Sequence, residues 1–198
     1  SKVAMKNPYL LNTHELPRRA GEMKEYNLEI AAPARVGVPL IGVAEGDVIE
    51  VDARLESVTE GVLLSAEIFA TAQGECIRCL DPVEVVVERS IQELYRYEPS
   101  RDKGKRKGRS DDDVDLEDDD ELQMDGDLLN LEIPIIDAII LALPINPLCD
   151  DECLGLCPDC GEKWETLPDG HRHESTDPRW SGLTALLDDS SDFGNQSK

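Results

Sequence analysis

Alternation of polar and apolar positions dominates the first half of the chain. Met23 to Ile30 alternates after the Gly21 breaker, and Val48 to Val58 reads VIEVDARLESV, a period of two that predicts strands with one buried face. Gly61 interrupts before Val62 to Ala72, a β-branched, apolar stretch that predicts a further strand. Gly74 precedes Cys76-Ile77-Arg78-Cys79 and Pro82 follows, which places the cysteine pair in a tight turn between strands. Beyond it, Val83, Val85 and Val87 share one face of a strand predicted to run to about Tyr97. Connections this short permit antiparallel pairing, and about three to five strands are expected.

The period then changes. Asp127 to Leu143 reads DLLNLEIPIIDAIILAL, with Ile135, Ile136, Ile139, Ile140 and Leu143 at helical spacing. Pro134 suits a first helical turn, where its missing N–H costs nothing, and Pro144 ends the helix. The predicted fold class is α+β: an antiparallel β-sheet packed with one core helix, plus a cysteine-rich metal knuckle near the C-terminus. Residues 1–99 form the strand region, 100–126 a charged linker, 127–170 the helix and knuckle, and 171–198 a polar tail. In that tail Pro178, Trp180, Leu183, Leu186 and Leu187 predict a short amphipathic helix that docks on the core.

The linker follows from charge. Arg101 to Arg109 holds six basic residues and Asp111 to Glu121 nine acidic ones, too little apolar surface to offset the entropy of ordering. Arg101, Lys103, Lys105, Arg106, Lys107 and Arg109 are the dense basic patch, so a direct phosphate contact is expected to begin there. Over the whole chain the formal charge is −23. That argues against an extended phosphate-binding surface and for a basic protein partner. The apolar run from Ile133 to Leu148 is broken by Asp137, Pro144, Asn146 and Pro147, short of a membrane span. Ser1 to Ala20 lacks the apolar middle of a signal peptide. We therefore expect a cytoplasmic protein in a reducing compartment, with its cysteines as thiols or metal ligands.

Six cysteines fall into two groups: Cys76 and Cys79, then Cys149, Cys153, Cys157 and Cys160 after the helix. Zinc favours four thiolate or imidazole ligands in a tetrahedron, and CxxC-type knuckles present two sulfurs each. Either the four late cysteines close one structural zinc site, or Cys76 and Cys79 join Cys157 and Cys160 in a long-range one. His171 and His173 can replace two cysteines in either arrangement. A thiol–disulfide enzyme is the competing chemistry, but neither pair follows a strand and opens a helix within a βαβ pattern. Phosphate-cradling and common hydrolytic motifs are absent. A non-enzymatic protein with no small-molecule substrate is the expectation.

The order GECIRCLDPVEV, acidic break, DLLNLEIPIIDAIILALPINPLC, CLGLCPDCGEKW and DPRWSGLTALL resembles the YceD family of large-ribosomal-subunit accumulation proteins, from about Val62 onward. The resemblance implies a role in synthesis, processing or stability of 23S ribosomal RNA, without an established enzymatic activity. It matches Cys76 and Cys79 to the family's first cysteine pair and Cys149, Cys153, Cys157 and Cys160 to the cluster of its cysteine-rich members. His171 and His173 fall where such members can carry a further cysteine pair. The partner it implies is a precursor large subunit or a basic ribosomal protein; an acidic adaptor or holdase for one basic protein is the alternative.

Overall fold

The computed structural model describes residues 7–97 and 122–173. Its secondary elements are β1 (Leu10–Asn12), β2 (Met23–Ala31), β3 (Val36–Val38), β4 (Ile41–Val43), β5 (Val48–Ser57), β6 (Gly61–Glu75), β7 (Pro82–Arg96), β8 (Leu128–Asn130) and α1 (Glu132–Ala142), with a 3₁₀ turn at Trp164–Thr166. They form two compact units, one ending at Cys153 and the other beginning at Leu154.

In the first unit, β6 is the axis of an antiparallel sheet. Its 15 residues pair along their whole length with β7 on one side. On the other side, β5 covers Val62–Phe69 and β4 covers Gln73–Gly74. β2 pairs with β5, β3 pairs with β4, and β1 and β8 form a separate two-stranded sheet. The alternation is visible in burial: Val62, Leu64, Ala66, Ile68, Ala70 and Ala72 of β6 all point inward, which pins the register because a one-residue slip would expose all of them. Gly74 sits where two strands converge, and a Cβ there would collide with the Leu40 carbonyl and Ile41. It is required for close approach.

The expected strands all form, and the main sheet has six strands where three to five were expected. The surplus is β3 and β4, each of three residues. Such segments are too short to display a period, and they exist because β4 pairs with the end of β6 and β3 with β4.

α1 packs on β7, β3 and β6. Ile135 and Ile139 are wholly buried and Leu143 nearly so, while Ile133 and Leu141 face solvent. Asn130 accepts the Glu132 N–H at 3.0 Å through Oδ1 and so satisfies one free donor at the helix start. Leu143, extended at ψ 141 before Pro144, ends the helix, as the residue before a proline is forced to do. Among the described residues no helix is long and apolar enough to cross a membrane. Most of the expected linker and the six basic residues from Arg101 to Arg109 lie outside the described residues, as does the expected tail helix from Asp177 to Leu187.

Candidate metal centre

The β6–β7 hairpin is closed by the segment Cys76 to Asp81. The Cys76 N–H donates to the Asp81 carbonyl at 2.7 Å and the Leu80 N–H to the Cys76 carbonyl at 2.9 Å. This turn aims both sulfurs to one side, and the Arg78 N–H donates to Cys76 Sγ at 3.4 Å. After α1 the chain bends past Pro144 and Pro147, and the Ile77 N–H donates to the Pro147 carbonyl at 3.0 Å. Cys149 and Cys153 are thereby brought to the hairpin tip. Cys79 Sγ lies 3.4 Å from Cys149 Sγ, and Cys76 Sγ 3.9 Å from Cys153 Sγ.

All six cysteines are free thiols, and the four sulfurs of Cys76, Cys79, Cys149 and Cys153 lie within 4.8 Å of one another. Thiolates about 2.3 Å from a tetrahedral zinc ion would stand about 3.8 Å apart, close to the 3.4 and 3.9 Å separations here, so the four sulfurs could hold a metal ion. The guanidinium of Arg78 ties the two segments together, donating to the Cys153 carbonyl at 2.9 Å and the Asp151 carbonyl at 3.2 Å. Nothing in the spacing of the sequence pointed to that clamp.

The electrostatics of the cage suit a cation. Burial opposes ionisation of Cys76, yet N–H groups of Cys149, Cys79 and Arg78 aimed at its sulfur bring its pKa down to about 6. Cys149 is pushed up to about 12, first by its contacts with Cys79 and Cys153 and then by burial. One negative sulfur therefore forms readily and opposes the next. A cation held by these four residues would remove that opposition and favour the thiolate form of all four sulfurs.

The second unit repeats the same turn. The Cys157 N–H donates to the Glu162 carbonyl at 2.8 Å and the Gly161 N–H to the Cys157 carbonyl at 2.8 Å, bond for bond the pattern of Cys76 and Leu80. Gly161 has φ +75, where glycine is at ease. Its counterpart Leu80 has φ 63, a conformation that costs a side chain roughly 1–2 kcal/mol. Leu80 is 61% exposed, so little burial offsets that cost. Replacing Leu80 with Gly is expected to raise stability by about 1 kcal/mol in urea unfolding with metal content unchanged; a destabilised variant would show that the Leu80 side chain matters more than its backbone strain.

Cys157 and Cys160 group with His171 and His173, whose four ligand atoms also lie within 4.8 Å of one another. The late cysteines, expected to act either together or as a pair with Cys76 and Cys79, are thus divided: Cys149 and Cys153 face the first knuckle, while Cys157 and Cys160 face two histidines.

An antiparallel sheet with one helix, carrying side-chain quartets of the kind that hold a metal ion, defines a small β-sheet protein of the sulfur-knuckle type. The chain belongs to the family described as large ribosomal RNA subunit accumulation protein YceD, whose model matches residues 64–187. Uncharacterized proteins of Mycobacterium tuberculosis and Mycobacterium bovis are 39% identical over 94% of this chain and 84% of their own length. One of Mycobacterium leprae is 33% identical over 91% of this chain and 78% of its own. No solved structure matches the chain.

Proposed function

We propose that this protein is a cytoplasmic, non-enzymatic accessory factor for accumulation of the large ribosomal subunit, supporting synthesis, processing or stability of its 23S RNA. The observation that carries the reading is the family match over residues 64–187. Zinc is the proposed ion of the cage formed by Cys76, Cys79, Cys149 and Cys153. Four protein ligands leave no position for water or substrate, which suits a structural site. Cys76 is wholly buried, a poor position for a thiol that must meet a disulfide substrate.

The proposed partner is basic: a ribosomal protein or a protein-rich patch of a precursor particle. The solvent face of the sheet supports this choice. One row across it runs Glu29, Glu50, Phe69, Glu88 and the next runs Asn27, Asp52, Glu67, Ser90. Glu29 stands opposite Glu50 and Asp52 opposite Glu67, all four exposed, and like charges in such positions destabilise a sheet. Asp52 accepts a hydrogen bond from Asn27 Nδ2 at 2.6 Å, but the facing carboxylates repel each other, and a cationic partner would neutralise both pairs. Replacing Glu50 with Gln is expected to raise stability by roughly 0.2–1 kcal/mol and to weaken capture of the partner, most clearly at low salt. A variant that loses stability while retaining its partner would remove this face from the reading.

Depletion of the protein should lower 23S RNA relative to the small-subunit RNA, and the C76S/C79S double variant should fail to restore it. Unchanged RNA levels on depletion would overturn the proposal. The adaptor reading draws on the same acidic face: recovery of one stoichiometric basic protein, free of RNA, would favour it.

A further inference from the structure

The segment from Leu154 to His173 has almost no apolar interior. Gly155 and Cys157 are its buried residues, while Leu154 is 65% and Trp164 37% exposed. Burial among these described residues is too slight to hold the segment by itself, and a metallic staple would supply what it lacks. What the segment brings together instead is polar: Cys157, which is buried, with Cys160, His171 and His173 on its more exposed side. His171 Nε2 is 3.5 Å from Cys160 Sγ and 2.7 Å from His173 Nε2.

We propose that Cys157, Cys160, His171 and His173 form a second, separately loaded site for a zinc-type divalent cation, and that filling this site is the folding step of the Leu154–His173 segment. The two quartets share no ligand, so this proposal stands whether or not the first cage binds metal. Their donor sets also differ: four thiolates in one, two thiolates and two imidazoles in the other. Ligation binds the divalent ion to two sulfurs and two ring nitrogens, releasing the thiol protons to solvent with no change in oxidation state.

The site carries its own reporter. The Trp164 ring meets the His171 ring edge-on, with centroids 5.7 Å apart, and the backbone N–H of Trp164 donates to the Gly155 carbonyl at 3.1 Å. Fixing His171 on a metal therefore fixes the environment of Trp164.

The test uses the full chain with Trp180→Phe, purified under reducing conditions, stripped of metal and titrated with zinc or cobalt. Two zinc ions per chain are expected, falling to one in H171N/H173N and to one in C76S/C79S. Trp164 fluorescence should respond to zinc in C76S/C79S and not in H171N/H173N. The double variant His171→Cys and His173→Cys should regain the ion, with sulfur-to-cobalt charge-transfer absorption at this site about doubled as its thiolates go from two to four. A single zinc that C76S/C79S abolishes, with no Trp164 response and no effect of either histidine pair, would overturn the second site and leave the first intact. Binding in H171N/H173N indistinguishable from wild type would overturn it equally.

Discussion

Replacing Cys76 and Cys79 together with serine is expected to remove one bound metal ion per chain and to lower stability by on the order of 4 kcal/mol. The estimate comes from chain entropy. The cage joins Cys79 to Cys149 across 70 positions of sequence, and a cross-link closing a loop of that length restricts the unfolded chain by about that amount. For a protein of this size the thermal midpoint should fall by roughly 8–16 °C. The altered residues lie at a hairpin tip, so the sheet itself should persist, with the loss concentrated in the attachment of the segment after α1. Metal content and a thermal melt of the same preparation decide the matter. Unchanged metal content, or a melt displaced by a degree or less, would show that the four sulfurs are not a working site.

Truncating Ile139 to alanine should cost about 2–5 kcal/mol, whereas the same change at Leu141 should alter stability by no more than about 0.5 kcal/mol. Both residues lie in the apolar C-terminal half of α1, but Ile139 is 0% and Leu141 75% exposed. The first change leaves a cavity against the sheet; the second removes surface that water already reaches. Urea unfolding of the two variants reads the rotational phase of the helix directly. Equal losses would mean that α1 is turned differently on the sheet or that a partner covers its outer face.

The phase of that helix was only partly legible beforehand. Ile135, Ile136, Ile139, Ile140 and Leu143 recur at helical spacing, and Ile135, Ile139 and Leu143 are buried while Ile136 and Ile140 are half-buried. Ile133 and Leu141 are equally apolar and stand exposed. A helix that is hydrophobic on nearly every side does not announce which side faces the core. The long strands are the opposite case. Polar residues at every second position of β5 leave one solution, and its limits fall within a residue of those expected. β1 and β8 could not be read at all, because each is three residues long and finds its partner on the far side of the chain's middle.

The cysteines divide along the same line. That they stand in knuckles of the kind that can hold a metal was readable from CxxC followed by Leu or Gly and an acidic residue, and from the placement of Cys76 and Cys79 between two strand patterns. Candidate ligands can be named from spacing because a turn of four residues fixes the direction of two sulfurs locally. Their partition into quartets cannot. Cys149 meets Cys79 because a long hairpin, a helix of defined length and two prolines together carry the chain back to one point, and each contributes a vector that sequence does not print. Cys160 meets His171 because the intervening loop closes on itself, a local event that histidines in a polar stretch do not advertise. What the amino-acid order determined by itself is therefore the local chemistry: strand alternation, helix limits and the turn geometry of each knuckle. Tertiary structure alone decided which face of α1 is buried and which sulfurs share a centre, since both depend on closing long loops whose ends are set by packing.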